Sequence, residues 1–449
     1  MNLSDTIVAS ATAPGRGAIS IIRLSGPKSL LIAETLSQKS LKPRFSTYGH
    51  VCDNGTILDS GLWIYFQAPH SFTGENVVEF QGHGGPVVVQ AVLQTITRLG
   101  ARLAGPGEFS QRAFLNNKID LTQAEAISDL INATSLSAVK AANRSLTGVF
   151  ASAIHELVKD LINLRTQIEA HIDFPDEDIE PTSIEYFKDQ IIHLESKLRI
   201  SIQSAREGAR LNRTTEIVLV GAPNTGKSSL LNVLAKEPLA IVTDIPGTTR
   251  DLIRHDLLID GLEIRVTDTA GIRSTGDQIE EEGIRRTLNA IETADLVLCL
   301  FDERYNEITE KTVTDLIGNK PSTRIGVIKT KHDLRTSSPS NENKTEFPFI
   351  EISTVTGFGL EKFKSWLLQE LNLNSHSETI FLARNRHVTL LEKALSFITQ
   401  AKNHNIKIET IDLIADDLRL TQNALSEITG AFTSDDLLGS IFSTFCIGK

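Results

Sequence analysis

One eight-residue stretch of this 449-residue chain, Gly221 to Ser228 with sequence GAPNTGKS, narrows its possible folds more than any other feature. It fits the pattern G-x-x-x-x-G-K-[ST]. The apolar run EIVLV precedes it, and SLLNVLA, with helical periodicity, follows. A strand, a glycine-rich turn and a helix start in that order form a loop whose backbone N–H groups close around phosphate at a helix N-terminus. Glycine tolerates the backbone angles such a loop needs. Lys227 supplies positive charge to the β and γ phosphates, and the Ser228 hydroxyl is placed for Mg²⁺. The plain alternative is a chance glycine-rich turn, which the flanking strand and helix patterns disfavour.

Four further motifs follow in the order that a guanine-nucleotide-binding GTPase requires. DIPGTTRD carries Thr249, placed to ligate Mg²⁺ and sense the γ-phosphate. DTAG follows a strand. Its Asp268 is a partner of Mg²⁺ and its Gly271 N–H can face the γ-phosphate. TKHD (Thr330–Asp333) also follows a strand. There Asp333 can accept both hydrogen bonds from the guanine N1–H and N2–H₂ edge, which adenine cannot donate. IST (352–354) lies where backbone groups meet the guanine oxygen. The expected nucleotide contacts are Asn224, Thr225, Gly226, Lys227, Ser228 and Ser229 in the first loop. Thr243, Asp244, Ile245, Pro246, Gly247, Thr248 and Thr249 follow in the second, and Asp268, Thr269, Ala270 and Gly271 in the third. Thr330, Lys331, Asp333 and Ser353 complete the set.

Two positions depart from the usual pattern. Thr330 stands where the guanine motif generally has Asn, although a hydroxyl can still bridge neighbouring loops. Ile272 stands where many small GTPases have the Gln that orients water, and Ile cannot hydrogen-bond. Either hydrolysis is very slow or another group orients the water. Asp277, Glu280, Glu281 and Glu282 lie downstream, although most of such an acidic run is an ordinary solvated face.

Periodicity divides the chain. Residues 1–118 read as mixed α/β, with strand-like runs AISIIRLSG, GLWIYFQAP and ENVVEFQGHG and a helix VVVQAVLQTITRLG ending at Gly100. From 119 to 210 the period is helical, with Leu157, Leu161, Leu164, Ile168 and Ile172 on one face. DFPDEDIEP (173–181), with its two prolines, interrupts it. Residues 214–373 alternate strands (EIVLV, LEIRVTD, DLVLCLFD, RIGVIKT, FIEIS) with helices, the pattern of a doubly wound parallel sheet. Helical periodicity returns over 374–449 (Val388, Leu391, Leu395, Ile398; Ile411, Ile414, Leu418). An α/β domain thus reads as inserted into a helical one whose two halves pack together, since neither half can bury its face alone.

Composition narrows the setting. Net charge is −11, but residues 1–118 carry ten Lys/Arg against seven Asp/Glu. The overall acidic charge argues against a stand-alone, whole-surface grip on nucleic acid and leaves room for a local basic patch or a partner that supplies the rest. Three cysteines make no disulfide framework. No apolar stretch is long enough to span a bilayer and no secretory signal is evident, so a cytoplasmic protein is expected.

These residues resemble the tRNA modification GTPase MnmE (TrmE) family over the whole chain. The resemblance is carried by DTIVA and ATAPGRGAI, by PGEFSQRAFLNNKIDLTQAEAISDLI, by DFPDEDI, GAPNTGKSSLLN, IVTDIPGTTRD and DTAGIR, and by LSEITGAFTSDDLLGSIFSTFCIGK. It implies an N-terminal folate-binding and dimerising domain (1–118), a helical domain split between 119–210 and 374–449, and a GTPase domain (214–373) inserted in it. It also implies a homodimer that joins a flavin-dependent partner, MnmG (GidA), which carries FAD, in a heterotetramer or larger complex. Together they place a carboxymethylaminomethyl or aminomethyl group on C5 of the wobble uridine of certain tRNAs. A tetrahydrofolate derivative of formyl or methylene type donates the one-carbon unit.

By the same resemblance, GTP hydrolysis uses K⁺ in place of an arginine finger, held by Asn224, Thr243, Ile245 and Thr248, with Mg²⁺ on Ser228 and Thr249. Glu280 orients water. Arg23, Glu79, Lys118 and Lys449 form the folate pocket, and Cys446 has a role in modification that is left open between nucleophile and packing residue. Cys299, inside DLVLCL, reads as a buried strand residue, and His83 is the one histidine near a matched pocket position. Two other classes compete. One is a regulatory GTP-binding switch of the ribosome-assembly type, which shares the GxPNxGKS and DxxGTTRD motifs but has no need of the N-terminal third or the CIGK tail. The other is a folate-binding scaffold that no longer turns GTP over, which Thr330 and Ile272 favour and the intact Lys227, Ser228, Thr249, Asp268 and Glu280 set disfavours.

Overall fold

The structure is a computed structural model. It describes residues 5–133, 136–173, 184–211, 215–221, 224–235, 253–259, 262–268, 290–291, 293–302, 324–334, 347–371, 381–404, 411–431 and 435–448. The chain divides into two compact units. One comprises Met1–Asn132, Ala142–Ala205 and Ala383–Lys449, and the other Ala133–Ala141 and Arg206–Leu382.

The first unit begins with a six-stranded sheet of β1 (Ile7–Ser10), β2 (Gly17–Ser25), β3 (Ser46–Asp53), β4 (Thr56–Phe66), β5 (Val77–Gly84) and β6 (Arg102–Leu103), in the order β3-β4-β5-β2-β1-β6. Every pairing is antiparallel except β1 with β6. Alternation along β2 turns Ile22 and Leu24 into a core with Trp63, Val78 and Phe80, while Ile19 on the other face stays exposed. Helices α1 (Ser29–Ser37) and α2 (Pro86–Arg98) cover the core face through Ile32, Leu36, Val92 and Ile96. Pro86 starts α2, where a missing N–H does no harm, and Gly100 in the left-handed region follows its end. β1, β3 and β6 are additions to the strands read from the sequence.

Helices α3 (Glu108–Leu115), α4 (Leu121–Asn132), α5 (Leu136–Leu146), α6 (Val149–Asp173) and α7 (Ile184–Leu211) follow. On α6 the residues Leu157, Leu161, Leu164 and Ile168 are buried as one stripe. Three helices come from the far end of the chain, α10 (Asn385–Asn403), α11 (Ile411–Thr429) and α12 (Asp435–Ser443). α11 packs against α10, α6 and α4, and α12 against α3. The two helical segments therefore share one core, with Arg165 of α6 donating to Gln422 of α11 at 2.5 Å and Lys402 to Glu195 of α7 at 2.7 Å.

The second unit holds β7 (Thr215–Val220), α8 (Lys227–Ala235), β8 (Ile253–Ile259), β9 (Leu262–Asp268), β10 (Leu296–Phe301), β11 (Arg324–Lys329), β12 (Phe349–Glu351) and α9 (Leu360–Glu370). The strand order is β12-β11-β10-β7-β9-β8. The all-parallel expectation needs one correction, because β8 runs antiparallel to β9 at the sheet edge. Ile259 pairs with Leu262 across Asp260-Gly261, a two-residue sequence suited to a tight hairpin. Both faces are covered. Ile217, Leu219, Leu298 and Leu300 pack with Leu230 of α8 and Phe363 of α9, and Val218, Val297 and Cys299 form a second core on the opposite face. Among the described residues no helix is long and apolar enough to cross a membrane.

Candidate functional site

The loop after β7 turns through Asn224 and Gly226, both in the left-handed region at φ 63° and 94°. Helix α8 begins at once, with Leu230 N–H donating to Gly226 O at 2.9 Å. Lys227 is 3% exposed and its Nζ donates to Gly221 O at 2.5 Å, so the ammonium lies within its own loop. Thr225 is buried, while Asn224, Ser228 and Ser229 are exposed at the mouth. The β10, β11 and β12 ladders bring two more loops to the same carboxyl end of the sheet, where open α/β sheets bind ligands.

Thr330 makes the connection that its hydroxyl permits. Its Oγ1 lies 2.6 Å from Thr225 O in the glycine-rich loop and 3.0 Å from Phe301 O at the end of β10. Lys331 follows in the left-handed region, with Nζ 4.0 Å from Asp302. The Ser353 hydroxyl donates to Asp333 Oδ1 at 2.5 Å, which joins the TKHD and IST loops. That donation, with the Asp333 backbone N–H, holds the Asp333 carboxyl below the usual carboxylate range. An ionised Asp333 is a pure acceptor, as a guanine edge with two donors requires. His332 stacks on Phe358, with ring centroids 3.9 Å apart and planes 16° apart, a contact absent from the sequence reading. Phe358 stands between two left-handed glycines, Gly357 and Gly359, and an aromatic in that setting is the signal that could have drawn attention to it.

Asp268 closes β9, in register with Leu219 of β7. Thr243, Asp244, Ile245, Pro246, Gly247, Thr248, Thr249, Thr269, Ala270, Gly271, Glu280 and Lys449 lie outside the described residues.

A second constellation sits on the first unit. Arg23 on β2 and Glu79 on β5 are direct cross-strand partners, and Arg23 Nε donates to Glu79 Oε1 at 2.8 Å. The Arg23 guanidinium lies 5.5 Å from the Phe72 ring centroid and 5.8 Å from that of Phe109. Lys118 reaches the same loop region, with Nζ donating to Pro69 O at 3.0 Å. Gly74, at φ 78°, leaves room for the Lys118 stem, which a Cβ there would meet at 3.2 Å. Beneath these groups Arg112, 1% exposed, donates to Asp5, Glu75 and Glu108. Burial pushes the Glu108 carboxyl up, but Arg102, the Gly105 N–H and Arg112 outweigh it and hold it below its ordinary range.

The C-terminal tail docks on the same unit. Ile447 bridges Pro106, and Gly107 N–H donates to Cys446 O at 3.3 Å, leaving Cys446 exposed. Cys299 is buried, which pushes its thiol up to about 12. His83 pairs with Asp59 at 2.6 Å.

Comparison with known proteins agrees along the chain. A family model described as the GTP-binding protein TrmE N-terminus matches residues 6–118, and one described as the MnmE helical domain matches 121–446. A Coxiella burnetii protein named tRNA modification GTPase MnmE is 47% identical over 450 residues, 99% of each chain. A protein of the same name from Neisseria meningitidis is 48% identical over 448 residues, again 99% of each. The chain belongs to the MnmE/TrmE family of tRNA modification GTPases. Among solved structures, the G domain of the T. maritima FeoB iron transporter is 23% identical, with 35% of this chain and 99% of that one covered. Its TM-score is 0.26, too low a likeness to say more.

Proposed function

We propose that the chain is a K⁺-dependent GTPase that acts with a flavin-dependent partner to modify C5 of the wobble uridine of certain tRNAs in the cytoplasm. The added group is carboxymethylaminomethyl or aminomethyl, and a tetrahydrofolate derivative supplies the one-carbon unit. The observation that carries this proposal is the meeting of three loops at one sheet end, joined by the Thr330–Thr225 and Ser353–Asp333 hydrogen bonds. Lys227 and the start of α8 receive the phosphates, and Asp333 takes the guanine edge. Ser228, exposed at the first turn of α8, suits Mg²⁺ together with Thr249. Asn224, exposed on the loop turn, suits K⁺ with Thr243, Ile245 and Thr248. A cation there would neutralise charge that develops between the phosphates. Glu280 orients the attacking water.

Glu79, half-buried and already paired on one oxygen, keeps lone pairs for the donors of a pterin amino-pyrimidine edge. Lys118, with Lys449, suits the glutamate tail, and Arg23 holds Glu79 in place. The open face of the N-terminal sheet, with Ile19, Tyr48 and Leu62 exposed, supports a homodimer. Binding and turnover of GTP against ATP test the nucleotide assignment. GTP should bind and be hydrolysed while ATP is ignored, Lys227→Ala should lose nucleotide, and Glu280→Ala should bind GTP but turn it over far more slowly. Equal use of GTP and ATP would overturn it.

A further inference from the structure

Thr330 bears on how the base is read, an inference that rests on the guanine-nucleotide assignment above. The carbonyl of Phe301 already accepts the Thr330 backbone N–H at 2.8 Å. The Thr330 hydroxyl has one proton, and its shorter contact, 2.6 Å, is with Thr225 O. That proton is therefore committed to the phosphate loop. The side chain is also held in place. It is 3% exposed, and a Cβ built on Gly226 would lie 3.6 Å from both Thr330 Cβ and Oγ1 and 3.7 Å from Cγ2. Thr330 thus sits wedged beneath Gly226, with no second donor to turn toward a base.

Asp333, three residues on, is fixed by Ser353 and presents acceptors only. Such a site reads the N1–H and N2–H₂ edge of guanine. The opposite side of the ring system carries N7, an acceptor that needs a donor. An asparagine at 330 would bring two N–H groups and one carbonyl. One N–H could keep the Thr225 contact and the other could face outward. Threonine supplies the first function without the second.

We propose that Thr330 is a specificity-determining residue that ties the phosphate loop to the base loop and leaves N7 of the purine unread. The site then accepts nucleotides with a 2-amino-6-oxo edge whether position 7 is nitrogen or carbon. Competition binding on the full chain with GTP, 7-deaza-GTP and ATP tests this. Wild type should bind GTP and 7-deaza-GTP within about twofold of one another, because no hydrogen bond is lost. Thr330→Asn should create a preference for GTP over 7-deaza-GTP of about threefold to tenfold, the usual size of one net hydrogen bond. A wild-type preference of about tenfold for GTP over 7-deaza-GTP would overturn the proposal, and that ratio is decisive even where Thr330→Asn misfolds. GTP binding no better than ATP would instead remove the guanine assignment itself, a result distinct from the 7-deaza ratio.

Discussion

Removing the Glu125 carboxylate should loosen the joint between the two halves of the helical region. Glu125 on α4 is 1% exposed and accepts two parallel hydrogen bonds from Arg386 of α10, both at 2.7 Å. His387 Nε2 lies 2.9 Å from the same carboxylate, and Arg384 is 3.6 Å away. The tautomer follows from geometry, because Arg384 N–H donates to His387 Nδ1 at 3.0 Å and so leaves the proton on Nε2. Burial, with the flanking guanidiniums of Arg386 and Arg384, outweighs the Glu125 carboxylate and holds His387 below its ordinary pKa. Burial opposes the charge on Glu125, but its partners outweigh it and hold the carboxyl at about 2.

Glu125→Ala leaves the Arg386 guanidinium with only the Ile428 carbonyl at 3.2 Å and the buried His387 N–H without its acceptor, which costs roughly 3–5 kcal/mol. For a unit of this size that corresponds to a melting shift of roughly 6–20 °C. As a control, Arg419→Ala breaks an exposed pair with Asp416, with an expected effect of about 0–1 kcal/mol. Thermal and urea unfolding of the full chain, followed by helical circular dichroism, reads both variants. Both folded pKa values lie below the unfolded ones, so the contribution is complete at neutral pH. His387 loses its share as pH falls below 6.5, and Glu125 loses its share from 4.5 toward about 2. A Glu125→Ala midpoint that matches Arg419→Ala would refute this account of the joint.

Thiol labelling at pH 8 should modify exposed Cys446 readily in the native chain, while Cys299 reacts only after denaturation, as mass spectrometry of labelled peptides would report. Labelling of native Cys299 would contradict its place in the sheet core. Gly448→Ala should release the C-terminal tail, since Gly448 sits at φ 99° and a Cβ there collides with the Ser10 carbonyl. The strain is about 1–3 kcal/mol, and faster trimming of the variant by carboxypeptidase would reveal it. Trimming at the wild-type rate would show that the tail does not depend on that contact.

The parts legible in sequence are those set by short-range pattern. The stripe on α6 is visible because its residues recur at helical spacing, and the β7–loop–α8 turn because its glycines and Lys227 are adjacent. Thr330 is a middle case. Its residue type implies a hydroxyl that bridges loops, but only the fold identifies Thr225 O, 105 residues away, as the acceptor. The Arg23–Glu79 pair depends on the β2–β5 register, and the Glu125–Arg386 clamp joins positions 261 residues apart. No local signal encodes either. β8 is hidden in the sequence for another reason. It is an edge strand that pairs antiparallel, whereas the alternation of strands and helices around it indicates parallel neighbours, and the Asp260-Gly261 hairpin sequence was the available clue.

GTP turnover by the purified chain, measured in KCl and in NaCl at equal ionic strength, tests the central claim most directly. The account predicts substantially faster hydrolysis in K⁺, with the cation held around Asn224. Equal and very slow rates in both salts would contradict it and leave a nucleotide-binding switch or scaffold in its place.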